Sequence, residues 1–138
     1  MTRYAAVSDL ASLGIVAASV GGVSTAAKEA ALDSASSLAD GYLSRQYTLP
    51  LTAWADALKE CVCCIAAETI LNVAGHNPAA GRDDITSVRA DRWRAWLASV
   101  ADGRVSLAVT DATPADASDD GHTVVATYTA KRNWSRGR

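Results

Sequence analysis

Trp54-Ala55-Asp56-Ala57-Leu58-Lys59-Glu60-Cys61-Val62-Cys63-Cys64-Ile65-Ala66-Ala67-Glu68-Thr69-Ile70-Leu71-Asn72-Val73-Ala74 is the stretch on which the fold turns. Trp54, Leu58, Val62, Ile65, Thr69 and Val73 recur at spacings of three and four, which predicts one apolar helical face. From Cys61 to Ala67 no residue is charged, so this section has no polar side to turn to water. The pattern predicts a helix over about Ala53–Ala74, capped by Thr52 and stopped by Gly75. A helix that is apolar all round belongs at the centre of its bundle.

Upstream, Thr25–Arg45 reads as a longer amphipathic helix. Ala27, Ala31, Ala35, Leu38 and Tyr42 form its expected buried stripe, with Glu29, Asp33, Ser36, Ser37, Asp40 and Ser44 opposite. Gly41 costs such a helix about 1 kcal/mol against Ala, so either a close backbone contact offsets it or the helix loosens there. Pro50 ends the segment by forcing extended geometry on its predecessor. Before it, Ser8 and Asp9 open a short helix that should stop near Gly14, and Ala17–Ser24 reads as a loop around Gly21-Gly22. Downstream, His76–Asp84 reads as a surface loop, and a fourth helix is expected from about Ile85 to Ala101, closing at Gly103. Its buried face is Ala90, Trp93, Leu97 and Val100, with Arg89, Arg92 and Arg94 on other sides.

Past Leu107 the character changes. Residues 108–122 form an acidic linker carrying Asp111, Asp116, Asp119 and Asp120, expected to be mobile. In the arm over 123–138, Thr123–Ala130 alternates like a β-strand, and Lys131, Arg132, Arg136 and Arg138 surround Trp134. The expected architecture is therefore mostly α: a small bundle of about four helices over 1–107, followed by a linker and an extended C-terminal arm that can carry a strand.

Within the 138 residues there is no Phe and a single Met, so Ala contacts and a few large anchors must make up the core. Small domains bury a smaller fraction of their surface, and oligomerisation is one common remedy. A net charge of −2 excludes the usual basic type of nucleic-acid binder for the chain as a whole. The opening residues lack the apolar core of a signal peptide, no apolar run is long enough for a bilayer, and residence in a cytoplasm is expected.

Sharper chemistry is weighed against plainer roles. Cys61 and Cys64 have Cys-x-x-Cys spacing, which suits redox chemistry or half a zinc site. His76 and His122 sit in no matching spacing, however, and the thiols fall in the middle of an apolar helix, so small buried hydrophobes are expected. Asp83-Asp84 and the Asp111–Asp120 series lack the order of a calcium loop. No nucleophile triad, phosphate loop or helix-borne His pair is present, and neither an enzyme nor a cofactor protein is expected.

The segment Tyr42-Leu43-Ser44-Arg45-Gln46-Tyr47-Thr48-Leu49-Pro50-Leu51 resembles the signature of the Mu-like phage head–tail adaptor family. Other features are similar to that family in the same order: Tyr4…Ser8-Asp9-Leu10, Leu58…Cys61…Cys64-Ile65-Ala66, Trp93…Ala95-Trp96-Leu97…Asp102-Gly103…Val105-Ser106-Leu107, and Asn133-Trp134-Ser135-Arg136. The chain departs from it in lacking a longer acidic insert at Ala17–Ser24, an Arg-Tyr after the Ala-rich core and a hydrophobic C-terminal ending.

The resemblance implies a non-enzymatic homo-oligomer, commonly a dodecameric ring, at the head–tail interface of a virion assembled in the bacterial host cytoplasm. Its implied partners are the portal protein and a downstream connector or tail protein. Packaged DNA would pass through the channel without specific binding, and no membrane is involved. The resemblance also favours docking of the terminal arm, with Trp134 in a pocket and Arg132 and Arg136 on carboxylates, over a free tail. Arg89, Arg92 and Arg94 could be a solvated face, line that channel or bond carboxylates; pairing with a neighbouring subunit or within the helix is favoured, because a strongly cationic lining would slow DNA passage. Arg89 and Arg92 are the other candidate contact residues. Two alternatives stay open: a small helical DNA-binding or regulatory protein, and a tail-completion protein of the same particle.

Overall fold

The computed structural model describes residues 2–13, 22–75 and 82–110, with the backbone alone at 82–84. Its elements are α1 (Val7–Ser12), α2 (Thr25–Leu43), α3 (Asp56–Gly75) and α4 (Arg82–Ala101). The described residues contain no strand beyond an isolated antiparallel bridge between Ala53 and Thr110. The fold is mostly α.

α3 is the centre. Leu58, every residue from Cys61 to Ala67, and Ile70 are buried. Neither α2 nor α4 alone could cover that perimeter, and both pack along α3 while α1 closes a third side. The helix begins at Asp56, later than its Thr52 cap was expected to allow. Thr52 is engaged elsewhere: its backbone N–H and its hydroxyl both donate to the carbonyl of Thr110, at 2.8 and 3.1 Å. Trp54, expected on the helical face, precedes the helix. Its indole N–H donates to the Tyr4 carbonyl at 3.0 Å, and the two rings meet edge to face at 5.1 Å. Val73, near the other end, is 73% exposed.

α2 is rotated from its expected orientation. Its buried residues are Ala31, Leu32, Ala35, Ser36, Ala39 and Leu43, while Leu38 is exposed and Tyr42 half-buried. The polar side has a partner in the N-terminal segment. Arg3 donates to both carboxylate oxygens of Asp33 at 2.7 and 2.9 Å and lies 3.8 Å from Glu29. The Tyr4 N–H donates to the Ser36 hydroxyl at 3.2 Å, and the Tyr4 hydroxyl donates to Asp40. Glu29, Asp33, Ser36 and Asp40 therefore share a stripe at spacings of four, three and four, along which residues 3 and 4 lie.

The termini of the helices follow local rules with two adjustments. α1 starts two residues earlier than a Ser8 cap implied: Ala6 is its N-cap, and the Asp9 carboxylate accepts from the Ala6 N–H at 2.8 Å. Ser24 caps α2 by accepting from Ala27 N–H at 3.2 Å. α4 opens at Arg82, three residues before the expected Ile85. Gly75 and Gly103 adopt left-handed φ of 91° and 73°, the conformation a helix stop requires. Most of the expected Ala17–Ser24 loop and the linker and arm beyond Thr110 lie outside the described residues.

The Tyr42–Leu51 segment fastens α2 to the end of α4. The Gln46 side chain donates to the Ala101 carbonyl at 3.1 Å and packs over Gly103, while the Tyr47 hydroxyl accepts from Leu107 N–H at 2.8 Å. Leu43 and Leu51 are buried on either side of this turn, and the Leu49–Pro50 peptide bond is cis.

At Gly41 a methyl group would meet nothing within 4 Å, so no close contact compensates for the glycine. Gly41→Ala is expected to raise unfolding free energy by about 0.5–1 kcal/mol. Ser36→Ala strands the buried Tyr4 N–H and is expected to lower it by about 1–3 kcal/mol. Urea denaturation followed by circular dichroism checks both signs.

Candidate assembly surface

α4 carries two faces. Ala90, Leu97, Val100 and Ala101 turn into the core. Arg89, Arg92, Trp93 and Trp96, at spacings of three, one and three, fall on an adjoining stripe that lies at the surface. With Ala57 from the first turn of α3 they line an open groove of about 360 Å³. Trp93 and Trp96 are half-buried, and their rings meet edge to face at 5.1 Å and 86°. Both tryptophans pack against the buried core from this side.

Of the residues expected to make contacts, Arg89 and Arg92 are exposed and come together at this groove. Neither forms an ion pair among the described residues. Arg94 behaves differently: it bonds Glu68 of α3 and Asp91 of its own helix, the latter at 2.9 Å. Those hydrogen bonds to Glu68 and Asp91 hold its guanidinium firmly charged. Arg132, Trp134 and Arg136 lie outside the described residues. Sequence reasoning missed Trp96 and assigned Trp93 to the core. The 89/92/93/96 spacing was the available signal, but it overlaps the core-facing set within one helical turn.

A second, apolar groove of about 240 Å³ runs between α2 and α3 and is lined by Val23, Ala27, Ala31, Thr69, Ile70 and Val73, among others. Its exposed wall is Val73.

The three cysteines are free and buried, as expected of small core residues. Burial pushes the Cys61 and Cys63 thiols up to about 12, with neighbouring thiols adding for Cys61 and Asp9 for Cys63. Burial also raises Cys64. Among the described residues no three His, Cys, Asp or Glu side chains converge as a metal would need. None of the described helices is long and apolar enough to cross a membrane.

The fold and surface define a small, mostly α protein with a cationic, aromatic contact groove beside a thiol-rich core. Residues 4–126 match the family model described as Bacteriophage Mu, Gp36, and the chain belongs to that family. Membership places it among the structural components of a Mu-like phage particle. No curated protein matches the chain.

The thiol environment sets an alkaline limit on stability. The folded state holds the Cys61 and Cys63 protons more tightly than the unfolded chain, so their contribution is complete below the ordinary value of 9.0. It is lost as pH rises from there toward 12. Thermal melts are expected to shift downward over that window, less so in Cys61→Ala/Cys63→Ala relative to its own neutral-pH melt. At pH 8 all three thiols should resist iodoacetamide in the native protein and react fully in urea, as mass spectrometry would show.

Proposed function

We propose that this chain is a head–tail adaptor: a non-enzymatic subunit that assembles into a ring below the portal, extends the DNA channel and joins the head to the tail. The observation that carries the reading is the family match over residues 4–126. The physical character of the body supports it. Its core is assembled from Ala, Cys and a few larger side chains, so contacts with neighbours add usefully to the stability of one copy. Both grooves leave apolar or aromatic surface open, and Leu38, Val73, Ile85 and Val88 are exposed. Trp and Arg, which line the α4 groove, are the side chains most often decisive at protein interfaces.

In this reading the Arg89/Arg92 face and the terminal arm with Arg132, Trp134 and Arg136 meet protein rather than DNA. Arg94, already paired with two carboxylates, braces the fold and takes no part in the DNA channel. The particle, not a membrane, is the site of action.

Light scattering on a sizing column, with the chain alone and then mixed with the portal protein of the same phage, tests the proposal. A defined ring, or a single chain that joins the portal in fixed ratio, is the expected result. A chain that ignores the portal and binds the tail end of the particle would make it a tail-completion protein. A stable monomer or dimer that ignores both and binds DNA with steep salt dependence would replace the adaptor with a regulator.

A further inference from the structure

Among the described residues, α4 and α2 each present an open outer face, and the two faces are opposite in chemistry and contour. On α4, Ile85, Val88 and Arg92 recur at spacings of three and four, with Arg89 and Trp96 beside them. Ile85 is 61% exposed and Val88 44%, and both arginines are exposed. The result is a bulky ridge, apolar and cationic together. Neither arginine forms an ion pair among the described residues, and Asp91 of the same helix is taken by Arg94.

On α2 the outer face is the reverse. Ala30, Ser37, Gly41 and Ser44, at spacings of seven, four and three, are exposed and small, so they form a shallow trough along the helix. Glu29, Asp33 and Asp40 run along one edge of it. Arg3 is the one cation that meets them among the described residues, bonded to Asp33 and 3.8 Å from Glu29. Asp40 accepts from the Tyr4 hydroxyl and forms no ion pair among those residues. Three carboxylates therefore share one guanidinium, and the edge keeps negative charge to spare. Gly41 adds an independent constraint. Nothing inside the molecule occupies the space where its side chain would be, yet a glycine weakens a helix interior. A second helix packing closely there would need it, because the shortest interaxial distances, about 8 Å, require small contact residues.

We propose that the α4 ridge of one copy packs along the α2 trough of a second copy, with Val88 over Ser37 and Gly41 and with Arg89 and Arg92 against the edge between Asp33 and Asp40. Along their helices Arg89 and Arg92 are about 4.5 Å apart and Asp33 and Asp40 about 10.5 Å, so the arginines stand between the carboxylates and reach outward to them. A carboxylate offers about four lone-pair sites, so Asp33 keeps Arg3 while it accepts a second guanidinium. Within one copy the two sets do not meet: the arginines line the groove beside Ala57 of α3, and the carboxylates lie along residues 3 and 4. Pairing α4 with α4 would oppose arginines, and pairing α2 with α2 would oppose carboxylates. The contact is therefore head to tail, and each copy keeps a free ridge or trough until the series closes on itself. The inference rests on the adaptor reading, whose ring requires a contact of this kind, and names the two faces that make it.

The test mixes two full-length variants, Ser37→Cys and Val88→Cys, alone and with the portal protein, and joins their thiols with a short bismaleimide. The native thiols stay out of the reaction because they are buried. Linked dimers are expected on denaturing gels from the mixture and not from either variant by itself. Adding Arg89→Glu and Arg92→Glu to the Val88→Cys partner should lower their yield by about tenfold, the scale of two exposed ion pairs lost together. Adding Gly41→Leu to the Ser37→Cys partner should lower it by about tenfold through overpacking of the trough. The same change should raise that variant's own melting temperature, which separates a lost contact from a lost fold. Dimers from one variant alone would mean a two-fold contact and overturn the proposal, as would dimers insensitive to both sets of substitutions. A ring seen by light scattering without linkage would overturn these faces and leave the adaptor standing. No linkage and no assembly, with or without the portal, would overturn both.

Discussion

A seven-residue run without a charge, Cys61 to Ala67, is the constraint from which the rest of the body follows. A helix normally keeps one side in water, and its neighbours then need only cover the other. Here side chains around the whole circumference are apolar, so exposing any side costs the transfer free energy of that surface. Enclosure needs partners in several directions, and α2, α4 and α1 supply them. The small size of Cys and Ala lets those helices approach closely, which yields a tight core without phenylalanine. The same enclosure raises the thiol pKa values, so packing and the inertness of the cysteines have a single cause.

Two fastenings hold the surrounding helices in place, and both act over long sequence separations. The N-terminal segment lies along α2 through Arg3 and Tyr4, whose partners span Glu29 to Asp40. Burial and the hydrogen bond to Asp40 both keep the Tyr4 phenol protonated, so this strap carries a neutral hydroxyl donor at every ordinary pH. At the other end of the body, Gln46 and Tyr47 tie the turn after α2 to Ala101 and Leu107 after α4. The segment that carries the family resemblance is therefore a structural clasp. What it positions is the end of α4 and, through Thr110, the point from which the acidic segment departs.

Much of this organisation was legible in the residues. The existence and order of the four helices, the enclosure of α3, the stops at Gly75 and Gly103 and the buried thiols all follow from patterns within a few turns of chain. The orientation of α2 did not. Ala27, Ala31, Ala35, Leu38 and Tyr42 make as good a stripe as Leu32, Ser36, Ala39 and Leu43, and an Ala-rich helix offers little contrast between them. Ser36 looked like a surface residue because its partner, the Tyr4 N–H, lies more than thirty residues away. The α4 groove was half legible: Arg89 and Arg92 stood out as contact residues, but Trp93 read as part of the buried face and Trp96 did not stand out.

The sequence by itself determined which helix must be central, because a run of residues with no polar member can satisfy itself in only one environment. It determined the helix stops as well, since only glycine accepts a left-handed φ at little cost. Tertiary structure alone decided the rest. Thr52 had the chemistry of a helix cap and instead donates its N–H and its hydroxyl to the Thr110 carbonyl. Glu29, Asp33 and Asp40 had the chemistry of a solvated face and became the seat of the N-terminal segment. Trp93 and Trp96 had the chemistry of core residues and were left half-buried at the edge, next to two exposed arginines. A polar or amphipathic side chain has several acceptable partners, and which one it meets depends on how distant segments come together.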